Sequence, residues 1–251
     1  MSLMTVERIK LVTTRSPWWC LAAAVVVSLG FAVLFAALAG STVQGGPQNG
    51  ETLELSPGLV VTGAAGLGLY TVMIMSALAV TTEYRFGVIR TTFLADPSRA
   101  KVIASKAAFL GLVGFVVGEV LAFASYGVAK LINSSLAGIS SEADWRAVAG
   151  VGVVYALGSV LAVAVGTLLR QSAGAVALLV LFPLAVENLV LLIPTYGQDI
   201  QQWMPFVNAN NFLGLSSLDG PLGPWGSLVY FAAIVLVVLG AALAVVDRRD
   251  A

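Results

Sequence analysis

The sequence predicts an all-α integral membrane protein with six transmembrane helices, and three observations carry that prediction. Hydrophobic residues are 59% of the 251-residue chain and charged residues only 10%. Mean hydropathy is +0.95. Apolar stretches recur at lengths near the roughly 20 residues that a helix needs to cross a hydrocarbon core. A soluble domain carries about 25% charged residues, because its surface must be covered by groups that water solvates. A chain this poor in charge has lipid as the solvent for most of its surface.

The chain reads as one transmembrane domain over residues 1–251. Residues 1–17 form an amphipathic helix lying on the membrane, with Leu3, Val6 and Ile9 at helical spacing and Glu7, Arg8, Lys10 and Arg15 around it. Trp18 and Trp19 then mark the interface where the first span begins. The spans are expected at 18–40, 58–81, 102–132, 147–169, 173–193 and 227–246. The third is longer than a bilayer requires, so it tilts or starts outside the lipid. Arg170-Gln171-Ser172 makes a very short turn between the fourth and fifth. Residues 194–226 contain Trp203, Met204, Pro205, Phe206, Phe212 and Trp225 among Gln and Asn. That mixture predicts short helices at or dipping into the outer interface.

Orientation follows from Lys and Arg. Eleven of the 13 fall on the side of the two termini, leaving Lys130 and Arg146 opposite at span ends. The positive-inside rule therefore makes both termini cytoplasmic. No lysine or arginine is expected to be buried.

Several chemistries are excluded by what the chain lacks. It has no histidine, so His-ligated zinc, histidine general bases and Ser-His-Asp triads are absent. No GxxxxGK[ST] phosphate loop occurs, so the chain binds no nucleotide by that motif. Cys20 is alone and forms no intrachain disulfide. Net charge is zero, which gives no electrostatic reason for nucleic acid as a partner. The chain reads as a non-enzyme with no metal or cofactor of its own.

Residues 82–101 carry most of the remaining information. Between two spans, charged residues alternate with Tyr84, Phe86, Val88, Ile89, Phe93 and Leu94, and Asp96-Pro97-Ser98-Arg99 reads as a turn into a helix. The stretch is too apolar for a solvated linker and too charged for lipid, so it is expected to fold and to offer a docking surface. Glu83 and Gly87, four apart, would share a helical face, and Gly87 would let a partner backbone approach closely.

Glu7-Arg8-Ile9-Lys10-Leu11 before the first span, Glu83-x-x-x-Gly87 with Arg90 and Thr91, Pro97 with Arg99, and Lys106 together resemble the type-2 ATP-binding-cassette (ABC) transporter permeases. These are the membrane subunits of bacterial ABC exporters, and the six-span layout with a long last outer loop extends the resemblance over the whole chain. The resemblance implies a cytoplasmic coupling helix between spans 2 and 3 that docks on a separate ATPase subunit through Glu83, Tyr84, Arg85, Phe86, Gly87, Arg90, Pro97 and Arg99. It implies an N-terminal interface helix using Glu7, Arg8 and Lys10, and a second permease copy or a homologous permease. ATP and Mg would be held by the partner, and the location would be the bacterial cytoplasmic membrane.

Inside the spans, Glu119 and Glu187 stand out, because a carboxylate at membrane depth costs a few kcal/mol unless it meets protein or water. Both lie roughly 20 Å from the cytoplasmic side at ~1.5 Å per residue. With Asn188 and Pro183, Glu187 predicts a kinked, polar-lined stretch. Glu119, Glu187 and Asn188 are candidate pathway or gating residues; each acid could instead bond a neighbouring helix or cap a helix end. Gly114-x-x-x-Gly118 with Gly111 is a close-packing face, within the chain or between copies. The alternative reading is an ion- or proton-coupled secondary transporter, which places ionisable groups near the midplane.

Overall fold

The computed structural model describes residues 3–39, 55–89, 98–216 and 220–248, and among them the protein is all helix. Arg90 and Pro97 lie outside the described residues. A short helix α1 (Leu3–Thr13) precedes six helices long and apolar enough to cross a membrane. These are α2 (Arg15–Leu38), α3 (Pro57–Arg85), α4 (Arg99–Ile132), α5 (Glu142–Leu169), α6 (Ser172–Leu192) and the last, α9 (Gly223–Arg248). Between α6 and α9 lie two short helices, α7 (Gly197–Gln201) and α8 (Pro205–Leu213).

Local chemistry explains several boundaries. Before α3, the Ser56 hydroxyl accepts from the Leu59 amide at 3.2 Å and Pro57 occupies the first turn, where its missing N–H costs nothing. Before α5, Ser141 and Asp144 form a reciprocal capping box: the Asp144 amide donates to Ser141 Oγ at 3.1 Å and the Ser141 amide to Asp144 Oδ2 at 2.9 Å. These caps start α5 five residues earlier than the apolar run alone indicates. At its other end Arg170 takes a left-handed conformation (φ 54), which reverses the chain into α6 within two residues.

α5 is the axis of the bundle. Within its apolar window 72% of residues are buried, against 22% for α2, α6 and α9. Its tightest partner is α4. A Cβ added at Gly118 would lie 2.9 Å from the Gly152 Cα, so the two backbones meet where neither residue has a side chain. Gly114 also faces α5, against Tyr155 and Ser159. The small-residue face of α4 is thus spent on packing within the chain.

Two spans contain a widened, π-helical turn, at Ala64–Gly68 in α3 and Phe182–Val186 in α6. In α3 the buried Tyr155 hydroxyl donates to the Ala64 carbonyl at 2.7 Å. In α6 the turn contains Pro183, and the Asn188 amide donates to the carbonyls of Pro183 and Leu184 at 3.3 and 3.1 Å. In each case a polar side chain donates to carbonyls of the widened turn, where the regular ladder is disturbed.

The segment between α6 and α9 folds back into the bundle. Phe206 and Phe212 are buried, and Phe206 packs edge-on to Tyr70 and against Phe231. Trp203 and Trp225 stay partly exposed, with the Trp225 indole donating to Glu142 at 2.9 Å.

Candidate functional site

The sequence places charge in α1, at the end of α3 and at the start of α4, and the fold brings these three places together. At the end of the bundle where α2 and α4 begin and α3 stops, Val80, Ile89, Ile103, Ala107 and Val246 form an apolar floor. On it sit Glu7, Lys10, Glu83 and Lys106. Lys106 Nζ donates to Glu83 Oε1 at 2.9 Å and to Glu7 Oε2. Lys10 Nζ donates to the same Glu83 oxygen at 2.9 Å and to Glu7 Oε1 at 3.3 Å. Two carboxylates and two ammonium groups thus close a ring that ties α1 to α3 and α4.

Burial differs sharply within the ring. The Lys106 side chain is 1% exposed, the two glutamates 9% and Lys10 30%. Burial works against the Lys10 ammonium, but the carboxylates of Glu83 and Glu7 outweigh it and hold its pKa above the ordinary 10.5. Charges taken this far out of water persist only when they are paired and hydrogen-bonded. Among the described residues, one oxygen remains over: Glu83 Oε2 is buried and has no hydrogen-bond partner.

This geometry corrects the sequence reading at two points, the burial of Lys106 and the expected shared face of Glu83 and Gly87. Lys106, expected as a flanking charge at the start of the third span and not as a buried one, is 1% exposed on α4. The face that α1 turns to the bundle is the charged one, with Glu7 buried, while Met4, Ile9 and Val12 are 47%, 48% and 56% exposed. The physical reason is that α3 and α4 present ionised partners there, and an apolar stripe would have left them unpaired. Glu83 and Gly87 do not share a helical face, because α3 ends at Arg85 and Gly87 lies in the turn beyond at φ 70. A Cβ added at Gly87 would meet no atom of the described residues within 4 Å, so within this chain the glycine serves a left-handed backbone, and its outer side is open.

The remaining residues of this segment separate by exposure. Arg85, Phe86, Gly87 and Val88 form an exposed turn, with Phe86 70% exposed. Tyr84 is turned inward, its ring 5.0 Å beneath the Arg170 guanidinium. Arg99 is half-buried at the start of α4, and Arg8 is exposed on α1.

The two acids within the spans have different surroundings. Glu187 is 3% exposed, and its Oε1 accepts from the Phe206 amide at 3.0 Å in the first turn of α8. Gln201 adds a bond to the Glu187 backbone carbonyl at 3.2 Å. The carboxylate therefore holds the positive end of a helix, one of the two structural roles open to it from sequence. Glu119 is half-buried on α4 and lies over Gly152 of α5, where an added Cβ would come within 2.4 Å of its Oε1. Glu119 and Glu187 thus belong to separate surroundings, one on α4 and α5 and the other on α6 and α8.

Reasoning from sequence missed the ring as a unit. Glu7 and Lys10 are three residues apart, but they meet Glu83 and Lys106 across 73 and 99 residues, and no local pattern links the two pairs. One signal was present: Lys106 recurs at helical spacing with Ile103, Ala107 and Leu110, so it lies on the apolar face of its own helix.

No protein-family model matches this chain, and no curated protein matches it.

Proposed function

We propose that the chain is the transmembrane permease subunit of an ABC transporter, an exporter that moves its substrate across the cytoplasmic membrane using ATP hydrolysed by a separate subunit. In this reading the end bearing the ion ring faces the cytoplasm, in keeping with the eleven basic residues assigned to that side. The single observation that carries the reading is the placement of the exposed Arg85–Val88 turn directly after Glu83, which the ring clamps to α1 and α4. A push on that turn by a docked partner would be delivered to three helices at once, through charge pairs with little freedom to slip. Rocking of packed helices around such a junction is one established way to alternate access. Glu187, which a proton-coupled mechanism would use, is engaged as a helix cap.

The test uses the exposed turn, because its side chains support no core. Phe86→Asp and Arg85→Glu are introduced into the full chain, coexpressed with a candidate ATPase subunit that carries a phosphate loop. Loss of copurification and of permease-stimulated ATP hydrolysis, at unchanged thermal stability, supports the reading. Retention of both in the double variant, or failure of the unmodified chain to bind any such ATPase, refutes it.

A further inference from the structure

Gly111, Gly114 and Gly118 of α4 all face α5, so a further surface on this helix must use another side. On such a side Leu112, Phe115, Val116 and Phe123 are exposed, at the spacings of three and four residues that share a helical face. In a helix able to cross a membrane, exposed apolar groups meet lipid tails as apolar as themselves and by themselves indicate no partner. Glu119 is different. It stands in the same row, four residues after Phe115 and four before Phe123.

Among the described residues, no hydrogen bond or ion pair engages the Glu119 carboxyl. Neither of its oxygens is among the buried atoms without a partner, so both reach the surface of the bundle. Gly152 leaves room for the side chain but offers it no donor. Glu187, by contrast, is buried and accepts from the Phe206 amide. The fold therefore satisfies one membrane acid and leaves the other facing outward. Lipid tails give a carboxyl neither donor nor acceptor, so an acid at this depth needs protein or water beside it. A protonated carboxyl carries one O–H donor and free acceptor oxygens, which makes it complementary to a second carboxyl. A two-fold axis along the membrane normal sets the same patch of two copies face to face and brings both acids to one depth. Apolar residues repeating at three and four are also what a second helix packs against.

We propose that this face of α4 is the contact between two copies of the chain in the membrane. Glu119 of each copy donates to the carboxyl of the other, and Leu112, Val116 and Phe123 pack around the pair. The pairing of copies belongs to the permease reading, on which this inference rests. The helix face and the residue that make the contact come from the structure alone.

The full chain, with Cys20→Ala to remove its own thiol, is given one cysteine at a time and oxidised with copper phenanthroline in native membranes. Val116→Cys and Phe123→Cys lie on the proposed contact, and Val26→Cys on α2 and Leu236→Cys on α9 are exposed positions elsewhere. A disulfide-linked dimer is expected from the first two and not from the second two. Association of fluorescently labelled copies is then followed by energy transfer as the membrane is diluted with lipid. Glu119→Leu, which puts a group at home in lipid in place of the carboxyl, is expected to weaken association about five- to thirtyfold, as loss of an interhelical hydrogen bond in lipid does. Glu119→Gln keeps a donor and an acceptor and is expected to leave association unchanged. Equal losses in the two variants, no loss in Glu119→Leu, or cross-linking through α2 or α9 instead overturns the proposal. The cysteine variants carry the native Glu119, so they decide the matter if Glu119→Leu does not fold. A chain that stays monomeric overturns the proposal as well, and copurification with an ATPase then judges the permease reading separately.

Discussion

Replacing Lys106 by Met removes one charge from the most deeply buried position in the ring while keeping the length of the side chain. Lys106 is 1% exposed and serves both Glu7 and Glu83, so its loss leaves two carboxylates at 9% exposure with Lys10 alone between them. Removing one partner of a buried ion pair costs about 3–5 kcal/mol, because the remaining charge has lost its compensation. For a chain of this length each kcal/mol moves the midpoint by about 2–4 °C, so the expected fall is about 6–20 °C. Lys10→Met provides the internal scale. With its side chain 30% exposed, Lys10 is screened by solvent and its loss should cost about 1 kcal/mol or less. A triple variant, Glu7→Gln with Glu83→Gln and Lys106→Met, should melt above Lys106→Met alone, since it removes the uncompensated carboxylates along with the lysine. The assay is thermal unfolding followed by tryptophan fluorescence in detergent, together with the protease sensitivity of α1. If Lys106→Met melts no lower than Lys10→Met, or the triple variant melts below the single one, the ring is not the electrostatic tie described here.

Three further outcomes follow from particular contacts. Gly152→Ala drives a methyl group to 2.4 Å from the Glu119 carboxylate and should lose about 1–3 kcal/mol; Glu119→Ala in the same chain should recover most of it, and additive losses in thermal unfolding would show that the two do not touch. Glu187→Ala leaves the Phe206 amide without its acceptor and should cost about 1–3 kcal/mol, whereas Glu187→Gln keeps an acceptor oxygen and should cost less; equal losses on denaturation would remove the capping role. The raised pKa of Lys10 means that its contribution is complete below 10.5 and is lost only as pH rises through the higher folded value. Stability should therefore show no dependence on this group between neutrality and about pH 10. Lys10→Arg, which stays charged, should remove the part of the alkaline loss that Lys10 causes, as read from melting curves at successive pH values.

What could be read in the sequence and what could not divides along the range of the forces involved. Six apolar runs, their order and the all-helical class follow from composition and length, because lipid forces every backbone donor to be satisfied within its own helix. Pro57 behind Ser56 and the Ser141–Asp144 pair also act within one turn, so they are visible as local pattern. The aromatic residues between the fifth and sixth long helices announced that the segment would not remain a solvated loop. Their burial against Tyr70 and Phe231 needed the fold, since those partners come from other spans.

The side chains most exposed to misreading were the polar ones near and within the apolar helices. Glu7, Lys10, Glu83 and Lys106 look like ordinary flanking charges, and only the packing of α1, α3 and α4 turns them into a closed ring and orients α1 by its charged face. Asn188 and Glu187 read equally as pathway residues; the structure shows one donating to carbonyls beside a proline and the other holding a helix end. By itself the sequence determined that this protein has six helices able to cross a membrane, because hydrophobicity acts on each stretch independently. Which charges meet was decided by the tertiary structure alone, because an ion pair at 2.9 Å depends on where three distant helices come to rest.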